Sequence, residues 1–507
     1  MEKNRKPPSK NQKAISGRRI LALFAILLLL GIYLRSNVFA LMMNDELLYV
    51  ATSLQHAGIF EGEPINNVHP PLAKLFFAAT CMVQFCDFSA FEIYASAYPL
   101  RTGFPNVVEA LQSVLPLMRL VSIGWSIATA GVVYVYTRKW FGNDAALFAF
   151  ALMLVSPNML LYSNVVMLES AFLFFFVTTY FFYLGTYREH RSPNNALILT
   201  GLLTAALLTR QLIPFILLPL LFESEIIDFI RRRHWDWKMS FIVFLSLSIL
   251  ITVYPVQSFN EAAEFVNYFE FGRNVNMDAI QMLASRLELA VILPLILGMG
   301  WLIGRKSPSP IPRSLGIGVL VLVAMHIWIG ANTLRYVTAA FPLLYVLAGA
   351  ALASLHGWKR ALGVGLAGLL IVQAVIANPY YEQFTGISGL EPPENERTRS
   401  LGVHAFLLSE NADKIITNDA YALPYAFDLP VEYILRMNGS AGRPITIQQA
   451  CSYAVVMNEA MERRDANLFA FRKTGTEHLF RCPALYASLQ KYPKVYQDRF
   501  YEVYQLE

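Results

Sequence analysis

The chain has 507 residues, of which 55% are hydrophobic and only 15% charged, and its net charge is a modest +5. Soluble globular proteins carry roughly 25% charged residues, so this composition excludes a solvated multidomain enzyme, a disordered scaffold and a nucleic-acid binder. The apolar residues come in long runs, which is the mark of a polytopic membrane protein.

Seven basic residues (Lys3, Arg5, Lys6, Lys10, Lys13, Arg18 and Arg19) precede a first apolar run, Ile20 to Leu34. No small-residue cleavage site follows it, so it reads as a first transmembrane helix with a cytoplasmic basic tail over 1–19, not as a signal peptide. Further spans are expected near 113–136, 144–162, 165–186, 196–209, 212–230, 239–257, 287–303, 314–331, 334–355 and 360–378. The total is about eleven. Arg138-Lys139, Arg188, Arg191, Arg231-Arg232-Arg233, Arg305-Lys306 and Lys359-Arg360 then all fall inside, a strong positive-inside bias. The segment 196–209 is short for ~30 Å of hydrocarbon. Fusing it with 212–230, however, would place the triple arginine outside. Arg35, at the end of the first span, is assigned to snorkelling.

The fold expected is mainly α: a helical membrane bundle over 20–379 with a small C-terminal extracytoplasmic α/β domain over 380–507. The first outer loop spans 42–112, and a shorter amphipathic outer segment spans 258–286. In the tail, KIITNDA, VEYIL and YAVVM read as strands and MNEAMERRDANLFAF as a helix. All four cysteines (Cys81, Cys86, Cys451 and Cys482) lie in outer segments. Cys451 and Cys482 are a candidate pair that the sequence alone does not establish. No CxxC or Cys/His cluster suggests a metal site.

The ionisable residues near the outer face are few. Asn44-Asp45-Glu46 follows the first span, and two adjacent carboxylates there suit a general base with a tuning partner, or a solvated helix terminus. His69-Pro70-Pro71-Leu72-Ala73-Lys74 opens an apolar stretch too short to span, so an interfacial helix with Lys74 snorkelling is expected. Arg119 and Glu169 lie inside predicted spans, where charge is costly and usually functional. Arg210 and Arg335 lie at the outer ends of theirs. Carboxylates and arginines gathered at one lipid interface suit a phosphate-bearing lipid donor, because the guanidinium fork matches phosphate oxygens and a carboxylate can deprotonate an acceptor.

Four segments carry a family likeness: NDELLYVA, VHPPLAKL, MRLVSIGWSIATAGVVYVY and YSNVVMLESAFLFFF. With them the chain resembles the GT-C glycosyltransferases, specifically the protein O-mannosyltransferases and the related aminoarabinose transferases. TRQLIPFILLP and LRYVTAAFPLLYVLAG are similar to later family segments, and the tail to the outer domain of bacterial lipid-carrier-dependent members. One departure is Asn164 after Ser163, where the family usually has arginine.

The resemblance implies an integral-membrane enzyme that transfers one sugar from a polyprenyl-phosphate carrier to an extracytoplasmic acceptor, inverting the anomeric centre. Asp45 would be the catalytic acid–base residue, Glu46 its neighbour and Glu169 the second acidic residue of the cavity. Arg119 would contact the donor phosphate, with Arg210, Arg335 and Lys74 assisting, and His69 would position the loop or the acceptor. The partners implied are the lipid bilayer, the carrier-linked sugar and the acceptor. The location implied is the plasma (inner) membrane, with the site on its outer face. No cofactor or metal is required, although the three carboxylates could hold a divalent ion. A flippase and a glycan ligase using a pyrophosphate-linked donor are the competing functions.

Overall fold

The computed structural model describes residues 17–35, 46–58, 71–84, 100–102, 105–156, 159–160, 163, 165–210, 213–221, 237–254, 296–300, 310–329, 337–355, 365, 368–369, 406–407, 409–410, 415–417, 431–435, 468–472, 491–497 and 501–506. The first apolar run forms α1 (Gly17–Tyr33), and the 42–112 segment contributes α2 (Glu46–His56), α3 (Leu72–Gln84) and the short strand β1 (Leu100–Thr102). The bundle continues with α4 (Pro105–Phe141), α5 (Asn143–Val155), α6 (Glu169–Phe182), α7 (Pro193–Thr209), α8 (Ile213–Leu221), α9 (Trp237–Val253), α10 (Ile311–Ile329) and α11 (Ala340–Ser354). These helices fall where the hydropathy runs predict spans. Among the described residues, Val114–Phe141 and Glu169–Tyr187 are the two helices long and apolar enough to cross a membrane by length and composition alone.

Local chemistry explains the turns. Gly142, at φ 91°, is the single residue between α4 and α5, a left-handed conformation that glycine adopts without a Cβ penalty. It folds α5 straight back along α4. After α6 a π-helical turn, Tyr183–Tyr187, places Gly185 against the rings of Tyr136 and Trp140, where a Cβ would come within 3.0 Å of both. Ser192 then caps α7 by accepting from the Asn195 N–H, with Pro193 at the first helical position. The 196–209 and 212–230 runs are two separate helices, because Arg210 is extended (φ −156°, ψ 143°) and ends α7 before α8 begins.

The centre of the bundle is the α5–α11 contact. α11 is buried along Ala340 to Leu352, and a Cβ on Gly349 would lie 2.5 Å from the Ala145 carbonyl oxygen and 2.9 Å from the Ala149 nitrogen. Small residues on both helices let the backbones meet, which is how membrane helices gain packing without a hydrophobic driving force between them. Gly349→Ala should therefore push the helices apart and cost about 1–3 kcal/mol, measurable as earlier thermal unfolding in detergent. Gly131→Ala, with nothing within 4 Å of its Cβ position, is the matched control and should leave the transition unmoved.

The tail forms a mixed sheet from β2 (Ile415–Thr417), β3 (Val431–Leu435), β4 (Leu468–Arg472), β5 (Lys494–Gln497) and β6 (Tyr501–Gln505). Its order is β1-β3-β2-β4-β6-β5, with β2 parallel to both β3 and β4 and the other pairs antiparallel. KIITNDA and VEYIL thus supply β2 and β3, and YAVVM and the 258–286 segment lie outside the described residues. The expected helix through LFAF is corrected: Leu468–Arg472 is a central strand, paired with β2 on one side and β6 on the other. Its aromatic residues suit a pleated surface, and pairing on both edges outweighs the helical pattern upstream.

The outer edge of this sheet is β1, from the first loop, with Leu100 opposite Leu435 and Thr102 opposite Tyr433. The tail sheet therefore borrows a strand from the 42–112 loop. A hydrogen-bonded sheet cannot be divided by hydrocarbon, so loop and tail share one side of the membrane. α4 is about 55 Å long against ~30 Å of hydrocarbon. It is thus longer than one crossing requires, and only residues 103–104 separate it from β1.

Candidate functional site

Glu169 is the first residue of α6 and is fully buried. Two features make a buried carboxylate tolerable there. The free N–H groups of a helix N-terminus favour negative charge, and Nη1 of Arg210 lies 2.8 Å from Oε1, with both side chains at most 2% exposed. The guanidinium is off the N–H axis, so the contact is one of charge with charge, and neither carboxylate oxygen accepts an aligned hydrogen bond. The extended backbone at Arg210 is what turns its side chain from the end of α7 toward α6. The sequence left open whether Glu169 partners Arg119; the structure joins it to Arg210.

Arg119 is 1% exposed on α4, one face of a ladder that continues with Ser122 and Ser126, both buried. It lies about 10 Å above Ser126 along the helix. Lys74 is completely buried, which corrects the expectation that it snorkels. α3 turns Ala73, Lys74, Phe77, Ala78 and Cys81 inward and exposes Leu75, Phe76, Met82 and Val83. The exposed side of this helix is apolar, and the Lys74 side chain is turned into the protein. Phe76 and Trp125 meet edge to face at 5.1 Å, locking α3 against α4. Glu46 begins α2, and its side chain lies outside the described residues, as do Asp45, His69 and Arg335.

Arg35 corrects a second expectation. Its side chain does not reach the headgroups but is 1% exposed between α1, α4 and α5. It donates to Ser126 Oγ (3.1 Å) and to the carbonyls of Gly31 (3.0 Å), Leu154 (2.8 Å) and Met153 (3.4 Å). Met153 and Leu154 end α5, where carbonyls lack helical partners and a cation is favoured. Sequence reasoning missed this clamp because a terminal arginine looks the same whether it turns outward or inward.

Cys81 is disulfide-bonded, with its partner outside the described residues. Disulfides persist in oxidising, extracytoplasmic compartments, which suits α3 on the outer side. Among the described residues no three of His, Cys, Asp and Glu come together as a metal site.

His56, in the loop helix α2, also escaped the sequence reading. Its Nδ1–H donates to the Thr52 carbonyl at 2.8 Å, while burial, and then the Lys74 ammonium, push its pKa down to about 4. The unfolded imidazole titrates near 6.5. Below that pH the unfolded state binds more protons, so stability contributed by neutral His56 is lost as pH falls from about 6.5 toward 4. Unfolding temperature should decline over that window, and His56→Gln should flatten the decline.

Residues 111–259, which include Arg119, Glu169 and Arg210, match the family described as dolichyl-phosphate-mannose-protein mannosyltransferase. No curated protein matches the chain. Among solved structures, ArnT from Cupriavidus metallidurans bound to undecaprenyl phosphate matches with a TM-score of 0.57 at 14% identity, covering 97% of this chain and 99% of its own. The Archaeoglobus fulgidus oligosaccharyltransferase tethered with an acceptor peptide matches at 0.51 and 13% identity, covering 97% of this chain and 74% of its own. Its apo form matches at 0.50 and 15% identity, covering 90% and 70%. The chain thus shares the fold of these proteins over nearly its whole length, and residues 111–259 match the mannosyltransferase family in sequence.

Proposed function

We propose that this chain is an integral-membrane glycosyltransferase moving a single sugar from a polyprenyl-phosphate carrier to an extracytoplasmic acceptor with inversion. The observation that carries this reading is the burial of Arg119 and of the Glu169–Arg210 pair at one end of the bundle, in a fold shared with a protein bound to undecaprenyl phosphate. Helix termini and arginines there offer a phosphate-terminated lipid a cationic berth beside the outer leaflet. The inner (plasma) membrane and its outer face are the location this reading takes.

Asp45 takes the proton of the acceptor hydroxyl or amine. The freed electron pair forms the bond to the anomeric carbon as the bond from that carbon to the phosphate oxygen breaks, and polyprenyl phosphate leaves with the electrons. Arg119 stabilises the charge that develops on the leaving phosphate. Lys74, Arg335 and Arg210 assist, and His69 positions the loop or the acceptor. Because Arg210 already faces Glu169, its main effect is to hold that carboxylate in place. Glu46 tunes Asp45 from the start of α2.

A glycan ligase is the second reading, favoured by the oligosaccharyltransferase match. Mass spectrometry of the lipid that copurifies with the protein separates the two. A sugar-monophosphate polyprenol supports the transferase, and a pyrophosphate-linked oligosaccharide the ligase. A preparation that carries neither, and fails to bind added undecaprenyl phosphate, overturns both.

A further inference from the structure

His326, in the last turn of α10, is fully buried, and neither Nδ1 nor Nε2 has a hydrogen-bond partner. Its depth follows from two contacts lower in the bundle. Tyr180 Oη of α6 donates to the Ser314 carbonyl at 2.8 Å, and Arg188, just past the π turn, donates to Ser314 Oγ at 3.2 Å. One turn higher on α10, a Cβ on Gly318 would lie 2.7 Å from Tyr180 Oη. Climbing α10 thus leads from the level of Arg188 to that of Tyr180, so the two helices are antiparallel. From Tyr180, α6 runs about 16 Å up to Glu169; from Ser314, α10 runs about 18 Å up to His326. The imidazole therefore sits within one helical turn of the depth of the Glu169–Arg210 pair. α10 also packs against α8, the helix that follows Arg210.

Two buried ring nitrogens without a protein partner are costly, and an apolar side chain would fill the same place without that cost. A neutral imidazole presents one N–H donor and one acceptor nitrogen, the complement of a hydroxyl group. An anionic phosphate is better matched by the guanidinium groups nearby. We infer that His326 is a sugar-binding residue, hydrogen-bonded to a hydroxyl of the sugar carried by the donor lipid, at the depth of Glu169. This inference rests on the glycosyltransferase reading, and it adds the contact that distinguishes the charged carrier from the bare one.

The test measures, in detergent-solubilised full-length protein, the affinities for undecaprenyl phosphate and for mannosyl-phosphoryl-undecaprenol. The quantity read is their ratio in wild type, His326→Leu and His326→Gln. In His326→Leu the preference for the mannosyl lipid should fall roughly tenfold, the scale of one lost hydrogen bond, with undecaprenyl phosphate affinity unchanged. His326→Gln, which keeps a donor and an acceptor, should recover part of it. Ligand-free His326→Leu should unfold no earlier than wild type, since two unpaired polar atoms are removed. An unchanged ratio, or a ligand-free His326→Leu protein that unfolds earlier, overturns the inference. Wild-type protein that binds neither lipid overturns the transferase reading beneath it.

Discussion

Asp45→Asn is expected to reduce turnover by 10²–10⁴-fold, the usual contribution of a positioned general base, while donor-lipid binding and thermal unfolding stay as in wild type. The exchange preserves size and removes only the proton acceptor. Asp45 immediately precedes α2 in the sequence, and α2 packs against α3, the helix that carries Lys74. Single-turnover transfer from the copurified donor, with binding measured separately, is the appropriate assay. Retention of most of the activity would remove Asp45 from the chemistry, and Glu46 would then be the base to test.

Breaking the buried ion pair should have the largest effect on stability. Glu169→Ala removes the carboxylate that faces buried Arg210, and Arg210→Ala removes the guanidinium that faces buried Glu169. Each should cost about 3–5 kcal/mol. Both side chains are at most 2% exposed, so solvent screening offers little relief. The double variant should lose markedly less than the sum of the two, because residues in direct contact are non-additive. Thermal or denaturant unfolding of the four proteins in one detergent gives the coupling. Additive losses for Glu169 and Arg210, with coupling to Arg119 instead, would falsify the pairing and return Arg210 to the donor phosphate.

Much of this architecture is legible in the sequence, since hydropathy and charge placement are local properties. Long apolar runs have to become helices in a solvent that cannot satisfy open backbone groups, so α1, α4, α6, α7, α9, α10 and α11 stand where the runs are. Arginine clusters carry the expected orientation. Ionisable residues inside spans stand out because the membrane makes them rare, which is why Arg119, Glu169 and Arg210 are recognisable beforehand.

What each charge pairs with is not local, and tertiary structure alone decided it. Arg35 turns inward because α5 ends beside it with free carbonyls, a neighbour more than a hundred residues away. Glu169 meets Arg210 because α7 ends in extended backbone next to the start of α6. β1 joins a sheet built more than 300 residues later, and Leu468–Arg472 becomes a strand because two others flank it. His326 carries no mark in the sequence: one histidine in an apolar helix is unremarkable until packing leaves both its nitrogens without a partner at the depth of the ion pair. Composition and periodicity report how much each segment prefers lipid, whereas the site depends on which helix ends are brought level, and that is a property of packing.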